Sequence, residues 1–245
     1  QNHQLSIAHR HDRHLIDLKV AYQNIAEQGY PNQHMDMTGN ESTRVNLGYQ
    51  GEFDWGRLSA RAYHEDTRHD MDFGPDKLYW YGMAHNVAGM PMRTRGRTTG
   101  FNLGAEFNLS ERDLLRVGAE YQRYRLDDRW DPVANSMMMS PNTFLNINDG
   151  RRDRYDVYAE WEANWSPQWL TLAGVRSGTV KTDAGTVQGY TPMYGADATA
   201  FNNADRSRTE RMTIQSTDPR ILWTDYIVTS ALSKNSSGDE TSSAR

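Results

Sequence analysis

The chain has 245 residues, a net charge of −5 and no cysteine, which excludes disulfides, thiolate metal sites and cysteine nucleophiles. The mild negative charge argues against a nucleic-acid surface. The hydrophobic fraction of 37% is low, while 13 tyrosines and 7 tryptophans are plentiful. This balance suits a solvated β-protein or a membrane β-barrel, whose strands alternate between lipid-facing and water-facing residues.

Apolar and polar residues alternate along successive segments, which is the period of a β-strand with one apolar and one polar face. In residues 44–53, for example, Val45, Leu47 and Tyr49 occupy one parity while Arg44 and Asn46 occupy the other. The predicted strands, in chain order, are residues 16–23, 44–53, 57–72, 99–109, 115–122, 155–165 and 169–181. We therefore predict an all-β, antiparallel fold.

The connections between these strands alternate between short and long. Short, turn-like connections lie at residues 54–56, 110–112 and 166–168, and long polar stretches at residues 26–41, 74–98, 128–152 and 184–211. A transmembrane barrel has tight periplasmic turns at one end and long extracellular loops at the other. A compact soluble domain rarely carries several loops of that length. We predict a transmembrane β-barrel segment, with a soluble β-sandwich as the alternative that alternation alone would also fit.

The last part of the chain differs from the rest. The alternation fades after about residue 211, and residues 233–245 are low-complexity and polar, as in disordered segments. We expect a partial barrel in residues 1–210 and a disordered or out-of-family tail in residues 211–245. The sequence begins at Gln1 without an export signal, so we interpret it as a fragment.

No convincing catalytic constellation is present: the sequence has no GxSxG, HExxH or phosphate-binding loop. We therefore expect neither an enzyme nor a bound cofactor. His9, His11 and His14 crowd one N-terminal stretch and could bind metal. Surface histidines at a turn are the simpler interpretation.

Methionine is the informative residue, because ten of the 11 copies fall in or beside the predicted long loops. Thioether sulfur is a soft ligand that prefers Cu(I). The alternative is a loop plug packed with flexible apolar side chains. The candidate loop ligands are the methionines of the runs MDM, MPM and MMM: Met35, Met37, Met90, Met92, Met137, Met138 and Met139.

The spacing of one further pair, His69 and Met71, also suggests a metal site. His69 and Met71 share the polar parity of the predicted strand 57–72, so both should face the lumen near its extracellular end. Two residues along a strand span ~6.6 Å, which lets an imidazole and a thioether converge on one ion.

Four stretches resemble TonB-dependent outer-membrane copper receptors: GYPNQHMDMTGN, ARAYHEDTRHDMDFG, LLRVGAEYQRYRLDD and SPNTFLNINDGRRDRY. The resemblance covers roughly residues 12–210. It implies a bacterial outer-membrane location, a 22-stranded barrel closed by an N-terminal plug, and energy from the TonB complex through an N-terminal region missing here. It also implies that an HxM pair on the barrel takes copper together with a Cys and a Met of the plug. His69 and Met71 match that pair, whereas the sequence contains no cysteine and no plug.

The expected function is therefore TonB-dependent uptake of copper ions across the outer-membrane lipid, without a nucleic-acid partner. One alternative keeps the fold and changes the cargo to a metal chelate such as a siderophore. A second alternative is a passive porin or adhesin-like barrel in which methionine is incidental.

Overall fold

The computed structural model describes residues 1–73, 77, 79–81, 84–87, 89–134, 136, 139–223 and 226–228. Ten strands form one antiparallel sheet in which each strand pairs with the next one along the chain. They are β1 (Asn2–His11), β2 (His14–Ile25), β3 (Asp36–Phe53), β4 (Gly56–Asp72), β7 (Met92–Asn108), β8 (Asp113–Trp130), β9 (Phe144–Ser166), β10 (Trp169–Asp183), β11 (Arg208–Trp223) and β12 (Tyr226–Val228). A separate hairpin pairs β5 (Tyr79–Tyr81) with β6 (Ala84–Val87). The all-β, antiparallel prediction is confirmed.

The helical part of the described chain is small. It comprises a 3-10 turn (Pro192–Tyr194) and α1 (Gly195–Asn203), both between β10 and β11. Neither is long and apolar enough to cross a membrane.

Short and long connections alternate as predicted, and they define two ends of the sheet. We call them the turn end and the loop end. At the turn end, β1 passes to β2 through Asp12, whose φ is 49°. Between β3 and β4, Gly56 has a φ of 143°, and a Cβ there would lie 1.9 Å from the Glu106 carbonyl oxygen. Only glycine fits this turn without strain.

The strands extend further toward the loop end than alternation predicts. β3 begins at Asp36 and β7 at Met92, β8 continues to Trp130, and β9 begins at Phe144. The predicted loops 26–41, 74–98 and 128–152 were therefore too long. Near the loop end both faces of the sheet are polar, so the period-2 signal disappears while the backbone ladder continues.

The register places residues of like character side by side across the sheet. One row contains Leu18, Leu47, Ala62, Phe101, Tyr121 and Tyr155, and the adjacent row contains Asp17, Gly48, Arg61, Asn102, Glu120 and Asp156. We call the face with the first row the outer face and that with the second row the inner face. The buried hydrophobic residues of the described chain are only Met37, Met90 and Ala163. A packed soluble sandwich would require many more.

Apolar side chains form a band on the outer face. On β3 the band runs from Val45 to Phe53, a span of ~26 Å along the strand, near the roughly 25 Å apolar height of outer-membrane barrels. Phe53 stacks on Trp55 at a centroid distance of 5.0 Å at the turn end. The exposed Trp165 and Trp169 also lie beside a turn. These aromatics lie where sequence predicts an interfacial girdle.

β11 pairs with β10 from the Thr182–Arg208 pair to the Trp169–Ile221 pair. The ladder therefore crosses the domain boundary predicted at residue 210, although the side-chain pattern changes there. The apolar Met212 and Ile214 lie opposite Gly178 and Arg176, on the inner face. The predicted low-complexity tail, residues 233–245, lies outside the described residues.

Candidate functional site

Three methionines lie directly opposite one another near the loop end. Met71 of β4 is the register partner of both Met37 in β3 and Met92 in β7. Directly opposed residues of antiparallel strands have Cα atoms ~4.5–5.5 Å apart and side chains on one face. Met37 is only 3% exposed, and Met71 and Met92 are half-buried. We call these residues the methionine row.

A β-bulge places Met37 in this row. The β3–β4 register shifts between Met37 and Gly39, so that Thr38 is an extra residue on β3. Asn40 faces inward opposite His69, and without the bulge Met37 would have the opposite parity and face outward. With the bulge, Met37 points to the inner face beside Met71.

His69 lies two residues from Met71 on the same face, as predicted. Its Nδ1 lies 3.2 Å from Asn40 Oδ1. Because an amide oxygen can only accept a hydrogen bond, Nδ1 carries the hydrogen and donates it. The lone pair of Nε2 is then available to a metal ion, a common arrangement for histidine ligands. His69, Thr94 and Tyr124 line a cavity of about 300 Å³ on the inner face.

The inner-face carboxylates beside His69 already have hydrogen-bond partners. Glu65 Oε1 accepts hydrogen bonds from Arg44, Ser42 and Thr67, at 2.8, 3.3 and 3.2 Å. Asp128 is buried and accepts from Thr94 Oγ1 at 3.0 Å and from Asn146 Nδ2 at 2.6 Å. No group of three or more His, Asp or Glu residues that could hold a metal ion occurs within the described ranges. The groups left to coordinate an ion here are soft sulfur and imidazole nitrogen.

The other predicted loop methionines are dispersed. Met35 and Met139 are half-buried in loops. Met90 was expected in a solvated loop, but its side chain is buried, with only 3% exposed. The prediction that Met37 and Met92 lie in loops was wrong, since both are strand residues. The sequence could not reveal this, because their strand segments lie where alternation has ended. Met137 and Met138 lie outside the described residues.

The N-terminal histidines lie at the first turn. His11 is paired directly with His14 across the turn, and His14 Nδ1 is 2.9 Å from the Tyr49 hydroxyl. His14 also packs edge-on against Phe53, with ring centroids 5.2 Å apart. Its side chain is thus part of the aromatic cluster at the turn end.

Ion pairs cover the inner face nearer the turn end. Arg116 contacts Glu160 and Glu162 at 2.8 and 2.7 Å, and Arg176 contacts Glu120 at 3.5 Å. A cavity of about 360 Å³, lined by Arg176, Glu120 and other inner-face residues, lies in this region. A face this charged requires a wide, hydrated lumen, because the interior of a small barrel is filled with side chains.

Solved structures share this fold. The structure titled "Copper transporter OprC" superposes with a TM-score of 0.71 at 15% identity, and the match covers 91% of this chain and 34% of that one. "The FrpB iron transporter from Neisseria meningitidis (F3-3 variant)" superposes with a TM-score of 0.55 at 16% identity, covering 92% of this chain and 35% of that one. The chain thus spans about a third of the length of these structures. No curated protein matches the sequence.

A family model described as "TonB dependent receptor-like, beta-barrel" matches residues 3–217. The match begins in β1 and ends in β11, and it includes the methionine row, His69 and the charged inner face. This is a family of receptors and transporters rather than of enzymes. The chain belongs to the TonB-dependent receptor-like β-barrel family, whose members are located in the outer membrane.

Proposed function

We propose that the chain forms part of an outer-membrane receptor for TonB-dependent uptake of copper, in which His69 and Met71 are metal ligands that face the lumen. The observation that carries the proposal is the methionine row, which places Met37 and Met92 directly across from Met71. Thioethers bind Cu(I) in preference to hard cations, and they do so without losing a proton. An imidazole one step along β4 adds a second soft-metal donor.

Both solved neighbours carry the name of a metal transporter, one of copper and one of iron, and the copper transporter superposes better. At 15–16% identity, these structural similarities establish only that the fold is shared. The choice of copper therefore depends on the chemistry of the side chains, namely three thioethers and an imidazole with the neighbouring carboxylates already engaged.

In this proposal, the half-buried loop residues Met35 and Met139 collect copper ions outside the cell, together with Met137 and Met138, which the sequence predicts in the same loop as Met139, whereas the buried Met90 does not take part. His69 and Met71 take the ion at the entrance of the lumen. The buried Met37 and the half-buried Met92 restrict the site to soft ions, and the charged inner face keeps the route hydrated. The TonB complex would supply the energy for release, and the chain itself would catalyse no bond chemistry.

A receptor for a metal chelate is the second candidate, and the iron-transporter neighbour favours it. The inner-face cavity is also lined by acidic residues, and Arg176 there is paired with Glu120. Arg61 has no ion-pair partner among the described residues and lines the same cavity as Tyr158, so these two side chains offer a cationic and an aromatic contact for an anionic organic chelate. This candidate predicts binding at that cavity and no requirement for His69 or Met71. A passive porin is a different class of barrel from the family that the chain matches.

The test is anaerobic Cu(I) titration of the receptor that carries this sequence, purified in detergent, against a chromogenic chelator. The His69→Ala/Met71→Ala variant is expected to lose on the order of 100-fold in affinity, since second-shell changes alone cost about 10–100-fold. The matched control is His64→Ala/Met212→Ala. His64 faces outward and contacts Thr99, and Met212 lies on β11.

Tight wild-type binding that the control retains and the site variant loses would support the proposal. Binding that survives in the site variant would move copper to the loop methionines or the N-terminal histidines. Absence of tight Cu(I) binding in the wild type would leave the barrel assignment intact and favour the chelate receptor.

A further inference from the structure

Arginines lie directly opposite one another on the outer face, between the apolar band and the loop end. Arg97, Arg125 and Arg151 form one row across β7, β8 and β9. Arg68 faces Arg95 and Arg93 faces Arg129 in the next rows toward the loops. Like charges in directly opposed positions destabilise a sheet. This arrangement is stable only where anions lie close by.

Carboxylates of the chain supply part of that negative charge. Five of these arginines have an acidic partner: Arg95 with Asp66 at 2.5 Å, Arg125 with Asp153 at 2.7 Å, Arg93 with Asp131 at 3.4 Å, Arg97 with Asp127 at 3.9 Å, and Arg151 with Asp149. Arg68, Arg123 and Arg129 are exposed and have no ion-pair partner within the described part of the chain. We call these eight arginines, with Arg123 included, the arginine belt, and the belt retains unpaired positive charge.

The three unpaired arginines lie at the height of lipid headgroups. Arg123 is two residues beyond Tyr121 and lies in the same row as Val45, where the apolar band begins on β3. Arg68 lies two rows further toward the loops, ~13 Å along the strands. Arg68 and Arg129 line an outer-face groove of about 430 Å³. The free cations thus begin at the edge of the apolar band and continue outward from it.

The groove also contains acidic groups. Asp127 is engaged by Arg97, and Asp70 has no ion-pair partner among the described residues. The third acidic residue of the lining, Asp128, is buried and accepts hydrogen bonds from Thr94 and Asn146. The exposed, unpaired groups of the groove are therefore the guanidinium groups of Arg68 and Arg129, beside the half-buried carboxylate of Asp70. A guanidinium presents a planar fork of donors that matches the oxygens of a phosphate.

We propose that this arginine belt binds the phosphate groups of an outer-leaflet glycolipid, with Arg68, Arg123 and Arg129 as the free cations. A phosphorylated sugar headgroup extends outward from the acyl chains, as these three residues do along the barrel wall. Basic residues at this height attract anionic headgroups. The proposal concerns the outer face only and does not depend on the cargo of the lumen.

The test is native mass spectrometry of the receptor in detergent, titrated with a bisphosphorylated lipid A and with the same lipid after removal of its phosphates. The variant is Arg68→Gln/Arg123→Gln/Arg129→Gln. The matched control, Arg10→Gln/Arg13→Gln/Arg57→Gln, removes the same charge near the turn end, where Arg13 pairs with Asp54 and Arg57 with Glu52. Heat-modifiable electrophoretic mobility verifies that each barrel is folded.

We expect the triple variant to lose on the order of 100-fold in affinity for the phosphorylated lipid, because each basic residue near an anionic surface contributes about five-fold. The control and the wild type should bind alike, and neither should hold the phosphate-free lipid tightly. Equal binding by variant and wild type, an equal loss in the control, or equal binding of the phosphate-free lipid would overturn the proposal. Full displacement of the lipid by millimolar inorganic phosphate would also overturn it, since it would identify a free-phosphate site.

Discussion

The same strands carry two different chemistries along their length. Toward the turn end, the outer face is apolar and the inner face is charged, as Phe101 and Glu120 illustrate. Toward the loop end, both faces are polar: the outer face carries the arginine belt, while the inner face carries His69 and the methionine row. The backbone ladder continues through both regions without interruption on β4 and β7. Strand pairing therefore does not require alternation, whereas crossing a membrane does.

This difference indicates where each region obtains its stability. In the turn-end region, lipid solvates the outer face, and the exposed Leu47, Leu103 and Val157 require no protein core. In the loop-end region, water surrounds the sheet, and cross-strand ion pairs and hydrogen bonds hold the side chains. Side chains in this region do not contact the lipid hydrocarbon and need not be apolar. The soft-metal donors and the unpaired arginines lie in this region.

The largest expected effect comes from placing the same charge in each region. Val157→Arg puts a guanidinium in the apolar band, 57% exposed in the sheet, and should destabilise the barrel by about 2–4 kcal/mol, as at a bilayer midplane. Thr43→Arg, on the same outer face opposite Asp66, should cost about 0–1 kcal/mol. Urea unfolding in lipid vesicles measures both. An equal loss of unfolding free energy in the two variants would mean that the apolar band does not lie in the hydrocarbon core of the membrane.

A smaller effect is expected from removing a carboxylate of the arginine belt. Asp153 accepts two hydrogen bonds from Arg125, at 2.7 and 3.2 Å, beside the opposed Arg97 and Arg151. Asp153→Asn should cost about 1 kcal/mol in the same unfolding assay, and less at high salt. Glu52→Gln removes the partner of Arg57 from a more exposed, 3.6 Å pair, and it should have almost no effect. A larger cost for Glu52→Gln than for Asp153→Asn would contradict the compensating role of the belt carboxylates.

The sequence was sufficient to predict the turn-end region. Alternation identified β2, β3, β4, β7, β8, β9 and β10, because one lipid-facing side gives each strand a period of two. It also predicted that His69 and Met71 share a face, since that relation depends on parity within one strand. β1 was not predicted, because on its outer face only Leu5 and Ile7 are apolar and they are flanked by His3, His9 and His11.

The methionine row and the opposed arginines depend on contacts between residues that are distant in sequence. The partnership of Met37 with Met71 depends on the bulge at Thr38, and the partnership of Met92 with Met71 depends on the β4–β7 register across a long connection. Neither a bulge nor a register between distant strands is encoded in a local pattern. The opposed arginines were hidden for the same reason, because Arg97 and Arg125 are far apart in sequence and adjacent only in the sheet.

The central claim, that the inner face at the loop end holds Cu(I) through His69 and the methionine row, is tested most directly by X-ray absorption at the copper edge. The receptor would be loaded with one equivalent of Cu(I) in detergent. We expect the spectrum to show thioether sulfur together with an imidazole nitrogen, and a weaker sulfur contribution in Met71→Leu, with smaller losses in Met37→Leu and Met92→Leu. A spectrum without sulfur, or one that Met71→Leu leaves unchanged, would contradict it.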